Sequence, residues 1–323
     1  MIYLELSKEQ GLGNQLWNYA TLRSFCDHKG YEYKIIGKEN FKGQKILDVS
    51  FESSEINKFE NIKPYLFNEK IYFDYQLKTF ASDFDESILK VKPNTIIKGL
   101  FQSENYFFKR DINKYFKVKE NIISKNKIHK KKCILNIRGG EYKRFKELIL
   151  PKTYWINAMK EMKKYDDNIS FTIVTDDYKY ATNLLPGIEI IKGDINNDFL
   201  NIYWAEYLIV SNSSFSYFPI KLGDQAKKVI APANWARFGN IYNRWISPAN
   251  YYKGWEYMNN KGEILLKEDI HKILLKTKSD YQNYNVITNE LIFKKKSILF
   301  FIPKNIRKKI KNFLSNIFPL HIG

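Results

Sequence analysis

Between Cys133 and Ala231 the chain repeats one pattern: a short apolar run, a polar loop, then a stretch with helical spacing. The apolar runs are Cys133 to Leu135, Phe171 to Val174, Ile188 to Ile191, Tyr207 to Val210 and Val229 to Ala231. The spacing predicts helices over Pro151 to Lys164, Asp198 to Ala205 and Tyr217 to Leu222. Pro151 suits a first helical turn, and Tyr154, Ala158, Met159 and Met162 form an apolar stripe. Strand, loop and helix in regular alternation specify an α/β chain with a parallel sheet and helices on both faces. Ligands of such sheets lie outside the carboxyl ends of the strands. That rule brings three polar loops together: Arg138 to Glu141, Asp176-Asp177, and Ser211 to Ser216.

Of these, the heptad Asn136 to Tyr142 carries the most chemistry. An arginine at a strand end, followed by Gly139 and Gly140, can grip a phosphate by two charge-assisted bonds. Glycines let a ligand approach the backbone. A structural salt bridge on a turn accounts for the same residues. The serine loop offers hydroxyls and N–H groups at a helix start, where the dipole favours an anion; N-capping explains part of it. Asp176 and Asp177 can accept from a base amino group or a ribose hydroxyl, or simply cap a helix. A divalent cation needs several oxygen ligands, and with no Asp-X-Asp triplet near a strand end the expected site is metal-free.

The first half opens as β-α-β. Ile2 to Leu6 reads as a strand, the loop Gln10 to Leu16 leads into a helix through Trp17, Ala20, Leu22 and Phe25, and Tyr31 to Ile36 is the next strand. Leu16 stands where a dinucleotide fingerprint needs its third glycine. Gly11, Gly13 and Asn14 can still offer backbone N–H groups to an anion or a sugar hydroxyl, or form a plain strand-to-helix turn. Residues 38 to 95 read as helices and loops. Ile96 and Ile97 end a strand before Gly99 to Phe107, and Asp111 to Phe116 reads as helix. Lys125 to Lys132 is the linker candidate, which sets the expected units at 1–128, 129–275 and a tail, 276–323.

Charge bears on partners. The net charge is +18, and Leu291 to Gly323 holds eight Lys or Arg with no acid. An anionic partner follows: nucleotide, lipid or nucleic acid. In the tail, Ile306, Ile310, Phe313, Leu314 and Ile317 share one face while Lys304, Arg307, Lys308, Lys309 and Lys311 fill the rest. That pattern suits a helix lying on an anionic membrane surface or one docked on its own domain. Two distant cysteines, Cys26 and Cys133, fit a reducing compartment. Neither a signal peptide nor an apolar stretch of membrane-spanning length is visible.

Five segments in order resemble the bacterial α-1,2-fucosyltransferases, glycosyltransferase family 11. Gly11-Leu-Gly-Asn-Gln-Leu16 is similar to the family's opening motif and Gly99-Leu-Phe-Gln-Ser-Glu-Asn-Tyr-Phe107 to its central one. Asn136-Ile-Arg-Gly-Gly-Glu-Tyr142 resembles its His-Val-Arg-Arg-Gly-Asp-Tyr motif, and Phe171 to Asp177 and Ser211 to Ser216 resemble the last two. Asn136, Gly139 and Glu141 depart from the family's histidine, second arginine and aspartate. The resemblance implies a GT-B-like fold, two Rossmann-like domains facing across a cleft. It further implies a metal-independent, inverting transfer from GDP-fucose bound in the carboxyl-terminal domain, with Arg138 on the donor β-phosphate and no cofactor beyond that donor.

In that expectation Arg138, with the serine-loop N–H groups, stabilises the departing diphosphate. Glu141 or Glu147 takes the acceptor proton, unless Lys143, Arg144 and Lys146 make both mere surface ion pairs. Donor-binding candidates are Asn136, Arg138, Asp176, Asp177, Ser213, Ser214, Ser216, Gly11, Gly13 and Asn14. The acceptor is a glycan, free or lipid-linked, in surface polysaccharide synthesis, with the protein peripheral on the cytoplasmic face of the plasma membrane. Two other readings stay open: the same fold with another nucleotide sugar, and a basic nucleic-acid-binding protein, for which no finger or RNA-binding motif speaks.

Overall fold

The computed structural model describes residues 1–53, 64–74, 79–108, 111–123, 129–144, 146–236, 246–281 and 285–288. The chain begins with β1 (Ile2–Glu5), α1 (Leu12–Lys29) and β2 (Tyr33–Ile36). Short strands β3 (Leu47–Asp48), β4 (Tyr65–Asn68), β5 (Lys70–Asp74) and β6 (Thr79–Ala81) follow, then β7 (Thr95–Lys98), β8 (Lys117–Val118) and α2 (Glu120–Ile123). The second half comprises β9 (His129–Ile137), α3 (Lys152–Tyr165), β10 (Ser170–Thr175), α4 (Tyr178–Leu184), β11 (Glu189–Ile191), α5 (Ile195–Tyr203), β12 (Ala205–Val210), α6 (Tyr217–Gly223), β13 (Lys228–Pro232) and β14 (Glu256–Met258). Last come α7 (Lys267–Tyr281) and β15 (Asn285–Thr288).

Two parallel sheets organise these elements, as the strand–loop–helix pattern predicts. The first has the order β2-β1-β7-β4 and the second β11-β10-β9-β12-β13-β14. Numbered from β9, the second order is 3-2-1-4-5-6, the doubly wound arrangement whose switch point lies between its first and fourth strands. β9 is central and buried on both sides, with Cys133 to Leu135 and Ile137 fully enclosed. This explains its unbroken apolar run. Cys133, Leu135 and Ile137 pack with α3 and α4, whereas Ile134 packs with α5 and α6. The alternation of a strand therefore sends Asn136 and Arg138 to the α5–α6 side.

α1 is enclosed on most of its circumference: Leu12, Leu16, Trp17, Tyr19, Ala20, Leu22 and Phe25 are all buried. Gly30 ends it in the left-handed conformation, φ 68°, a position glycine adopts without a Cβ clash. The core around α1 is continuous with the α5–α6 side of the second sheet. Chain segments also cross between the halves. β15 pairs with β5, and Ser247 exchanges hydrogen bonds with the Ser82 backbone, accepting from its N–H (3.1 Å) and donating to its carbonyl (2.9 Å).

Several expectations need correction. The described residues between 38 and 95 hold strands β3 to β6 and 3₁₀ turns, not α-helices. Edge and two- or three-stranded antiparallel positions expose polar and aromatic side chains alike, and Tyr65 of β4 is 72% exposed, so no clean alternation is left to read. Asp111 to Phe116 contains only a 3₁₀ turn, Asn113–Tyr115. The basic stretch Lys125 to Lys132 overlaps β9 from His129 onward, where Lys132 pairs with Glu189 of β11 at 3.1 Å. The basic tail from Leu291 lies outside the described residues.

Candidate active site

Arg138 leaves the end of β9 beside the switch point. One guanidinium nitrogen pairs with Asp176 at 3.0 Å, where β10 ends. The other Asp176 oxygen accepts the Gly139 N–H at 2.9 Å. One carboxylate thus holds both the arginine and the turn that follows it. The guanidinium lies 5.5 Å from the Tyr142 ring centre, within reach of a cation–π contact. The Tyr142 hydroxyl donates to the Asn212 carbonyl at 2.9 Å, which ties this turn to the serine loop. The Arg138 Nε–H is buried and has no partner among the described residues.

The glycine pair fits this turn by contact. A Cβ on Gly139 would lie 2.6 Å from the Tyr180 ring, and one on Gly140 2.5 Å from the Asp176 carboxylate. A second arginine has no room at position 139 without movement of Tyr180 and Asp177.

Asp177 behaves as a capping residue. It accepts the Tyr180 N–H at 3.0 Å at the start of α4 and pairs with Lys143. The Lys143 hydrogen bond holds its carboxyl below the usual range. Glu141 and Glu147 are exposed in short 3₁₀ turns, Glu141–Arg144 and Lys146–Leu148. Neither bonds to another described side chain.

The serine loop starts where the Ser211 N–H donates to the Asn136 carbonyl at 3.1 Å. This bond joins the ends of β9 and β12 across the switch point. Ser213 Oγ accepts the Phe215 N–H at 3.2 Å, and the Ser216 hydroxyl donates to the Ser213 carbonyl at 3.4 Å. Local turn chemistry absorbs these two hydroxyls. Asn212 anchors the loop by donating its amide to the Leu148 carbonyl at 3.0 Å and to the Trp235 carbonyl. Ser214 reaches into the first half and donates to Asn14 Oδ1 at 2.8 Å. Gly13 lies against the Ser214–Phe215 backbone, while a Cβ on Gly11 would point into open space.

One acid escapes a strand-end reading. Asp198 sits in the first turn of α5, beside buried Phe199. Its Oδ1 is buried without a partner among the described residues. Burial, reinforced by the Asp176 charge and opposed by Arg138, pushes its carboxyl up to about 7. Around the switch point, then, unpartnered buried polar atoms accumulate: Asn136 Oδ1, Arg138 Nε, Asp198 Oδ1, Ser211 Oγ and Asn212 Oδ1. Buried polar groups are ordinarily satisfied, and five such atoms among the described residues, between two strand ends and one helix, make this the candidate site for a polar ligand. Alongside the serine loop runs a crevice walled by Trp235, Tyr251 and Trp255.

No protein-family model and no curated protein sequence matches the chain. Among solved structures, it is similar to the α-1,6-fucosyltransferase NodZ soaked with GDP-fucose at 12% identity and a TM-score of 0.44, covering 72% of this chain and 94% of that one. A variant of Arabidopsis thaliana FUT1 with GDP gives 10% and 0.41, covering 83% and 82%. The E. coli heptosyltransferase WaaC with ADP gives 11% and 0.39, covering 85% and 99%.

Proposed function

We propose that the protein is a glycosyltransferase that takes its sugar from a nucleoside-diphosphate donor, GDP-fucose in the first instance. The observation that carries this reading is the half-buried Arg138 at the switch point of a 3-2-1-4-5-6 sheet, with its Nε–H unspent amid unpartnered acceptors. Diphosphates are bound where such a sheet changes direction. A guanidinium fixed by Asp176 meets developing phosphate charge with little reorganisation. Asp198 and Asn136 supply acceptor oxygens for donor N–H groups, which suits the amino edge of guanine.

In the transfer step the glycosidic C–O bond to the diphosphate breaks and the acceptor oxygen bonds to the anomeric carbon from the opposite face. Arg138 neutralises the leaving diphosphate. The acceptor proton passes to a carboxylate, Glu141 or Glu147 in this proposal, since they stand in the two successive turns that follow Arg138. The ordered motifs support the α-1,2 linkage and a role in surface polysaccharide. The basic tail supports a peripheral position on an anionic membrane; among the described residues no helix is long and apolar enough to cross one.

Calorimetric titration of GDP into the wild type and Arg138→Ala tests the central claim. Expected is a loss of at least about tenfold in affinity, since charge-assisted bonds are the strong ones. Equal binding by both proteins would sink the role given to Arg138. Gly139 favours a second reading: with no room for a second arginine, a single guanidinium holds the phosphates and the donor sugar differs. A panel of UDP-, ADP- and GDP-sugars separates the two.

A further inference from the structure

Asn14 stands in the first turn of α1, and its bonds run to other loops of the chain. Its Oδ1 accepts from Ser214 Oγ at 2.8 Å and from Gln102 Nε2 at 2.8 Å. Two donors use both lone pairs of that oxygen. Gln102 is buried, and its own Oε1 accepts from Asn250 Nδ2 at 3.2 Å. The amides form a directed series, Asn250 to Gln102 to Asn14, and turning over Gln102 alone would set like groups against each other at both ends.

A second, independent contact reaches the same loop. A Cβ on Gly13 would lie 2.6 Å from both the Phe215 nitrogen and the Ser214 carbonyl carbon. Only glycine lets α1 come this close to another backbone. The loop so held carries Ser211 Oγ and Asn212 Oδ1, two of the unpartnered atoms at the switch point. Its remaining ties, through Tyr142 and the Asn212 amide, stay within the second half.

We infer that Asn14 is a positioning residue: through Ser214 it fixes the serine loop from across the molecule, and the Gly11–Leu16 segment serves the second half's ligand site without a ligand of its own. Gln102 orients Asn14, so the segment Gly99 to Phe107 works toward the same end. The effect on ligand binding rests on the nucleotide reading above; the effect on the loop does not.

Two measurements test this on the full chain. The first is amide hydrogen exchange over 211–216 in the wild type, Asn14→Ala, Asn14→Asp and Ser214→Ala. Asn14→Ala and Ser214→Ala are expected to speed loop exchange about tenfold, as loss of one bond of ordinary strength does, with β1 and β10 unchanged. Asn14→Asp keeps an oxygen for both donors and restores the wild-type rate. Unchanged loop exchange in Ser214→Ala, which removes only this one part-buried hydroxyl bond, overturns the inference even if Asn14→Ala does not fold.

The second is a GDP titration of both single variants and the double variant. Each single variant is expected to bind about fivefold to tenfold more weakly, and the double no more weakly than the worse single, because the same Ser214–Asn14 bond is lost in all three. Additive losses overturn the inference. Should the wild type not bind GDP while loop exchange still responds, the nucleotide reading falls and the positioning role stands.

Discussion

Arg138 satisfies two readings at once, the structural ion pair and the ligand grip, because a guanidinium has five N–H donors and Asp176 engages one nitrogen. Arg138→Lys separates them. The ammonium keeps a charge for Asp176 but loses the planar fork. Stability should hold to within about 0.5 kcal/mol, while sugar transfer should fall ~10²–10³-fold, the usual effect of losing one preorganised donor to a developing anion. A donor-transfer assay beside a thermal melt checks both. Asp198 makes a separate prediction. Its carboxyl is raised to about 7 from 3.8 by burial and by Asp176. As pH rises from about 4 to 7 the unfolded chain ionises this group while the folded chain retains its proton, so the folded state loses stability through that window. Asp198→Asn removes the charge. It should raise Tm more at about pH 8 than at about pH 5, by roughly 2 °C per kcal/mol in a chain of this size. A Tm gain independent of pH would contradict the assigned cause.

At the scale of elements, the close approach of α1 to the serine loop decides a prediction. Gly13→Ala sets a methyl group 2.6 Å from backbone atoms of Ser214 and Phe215, which cannot rotate away as a side chain would. A cost of about 1–3 kcal/mol follows from overpacking, read in a denaturant melt; a neutral outcome would mean the loop yields freely. The sheet that presents this loop was the legible part of the sequence. β9, β10, β12 and β13 are buried on both faces or nearly so, and that burial leaves continuous apolar runs. β4 to β6 were missed because short edge and antiparallel strands carry mixed residues, and three-residue β14 is too brief to show a period. Arg138 and Asp176 could be read because they end apolar runs. Asp198 could not, since an acid in the first turn of a helix reads as a dipole partner, and its burial comes from elements far away in sequence. The bond from Asn14 to Ser214 spans 200 residues, and no local pattern encodes it. Glu141 and Glu147 are near Arg138 in sequence but exposed, and a Glu141→Gln and Glu147→Gln comparison of transfer rates decides which serves as base.

The whole molecule is joined more firmly than a pair of α/β halves need be. Relative motion of two halves is the default unless their interface is large and apolar. Here Trp17 of the first half stacks on Tyr252 at 5.5 Å and lies 4.3 Å from Tyr217 and 5.2 Å from Phe218, ring centre to ring centre. Glu104 accepts from the Tyr217 hydroxyl at 2.8 Å and the Lys253 N–H at 2.7 Å, and pairs with Lys221 at 3.2 Å. Lys278 of α7 returns to pair with Asp83 at 3.0 Å. One apolar core runs through both halves, so neither can shed the other without exposing it. The described halves should therefore unfold together. Calorimetry should give one transition whose van't Hoff and calorimetric enthalpies agree. Trp17→Ala, which empties the junction, should cost about 3–5 kcal/mol and lower that single transition. Hydrogen exchange should then report the loss in β1 and in β12 alike. Two resolved transitions in the wild type, or a Trp17→Ala loss confined to β1, would mean that the halves keep separate cores and that the serine loop is held by its hydrogen bonds alone.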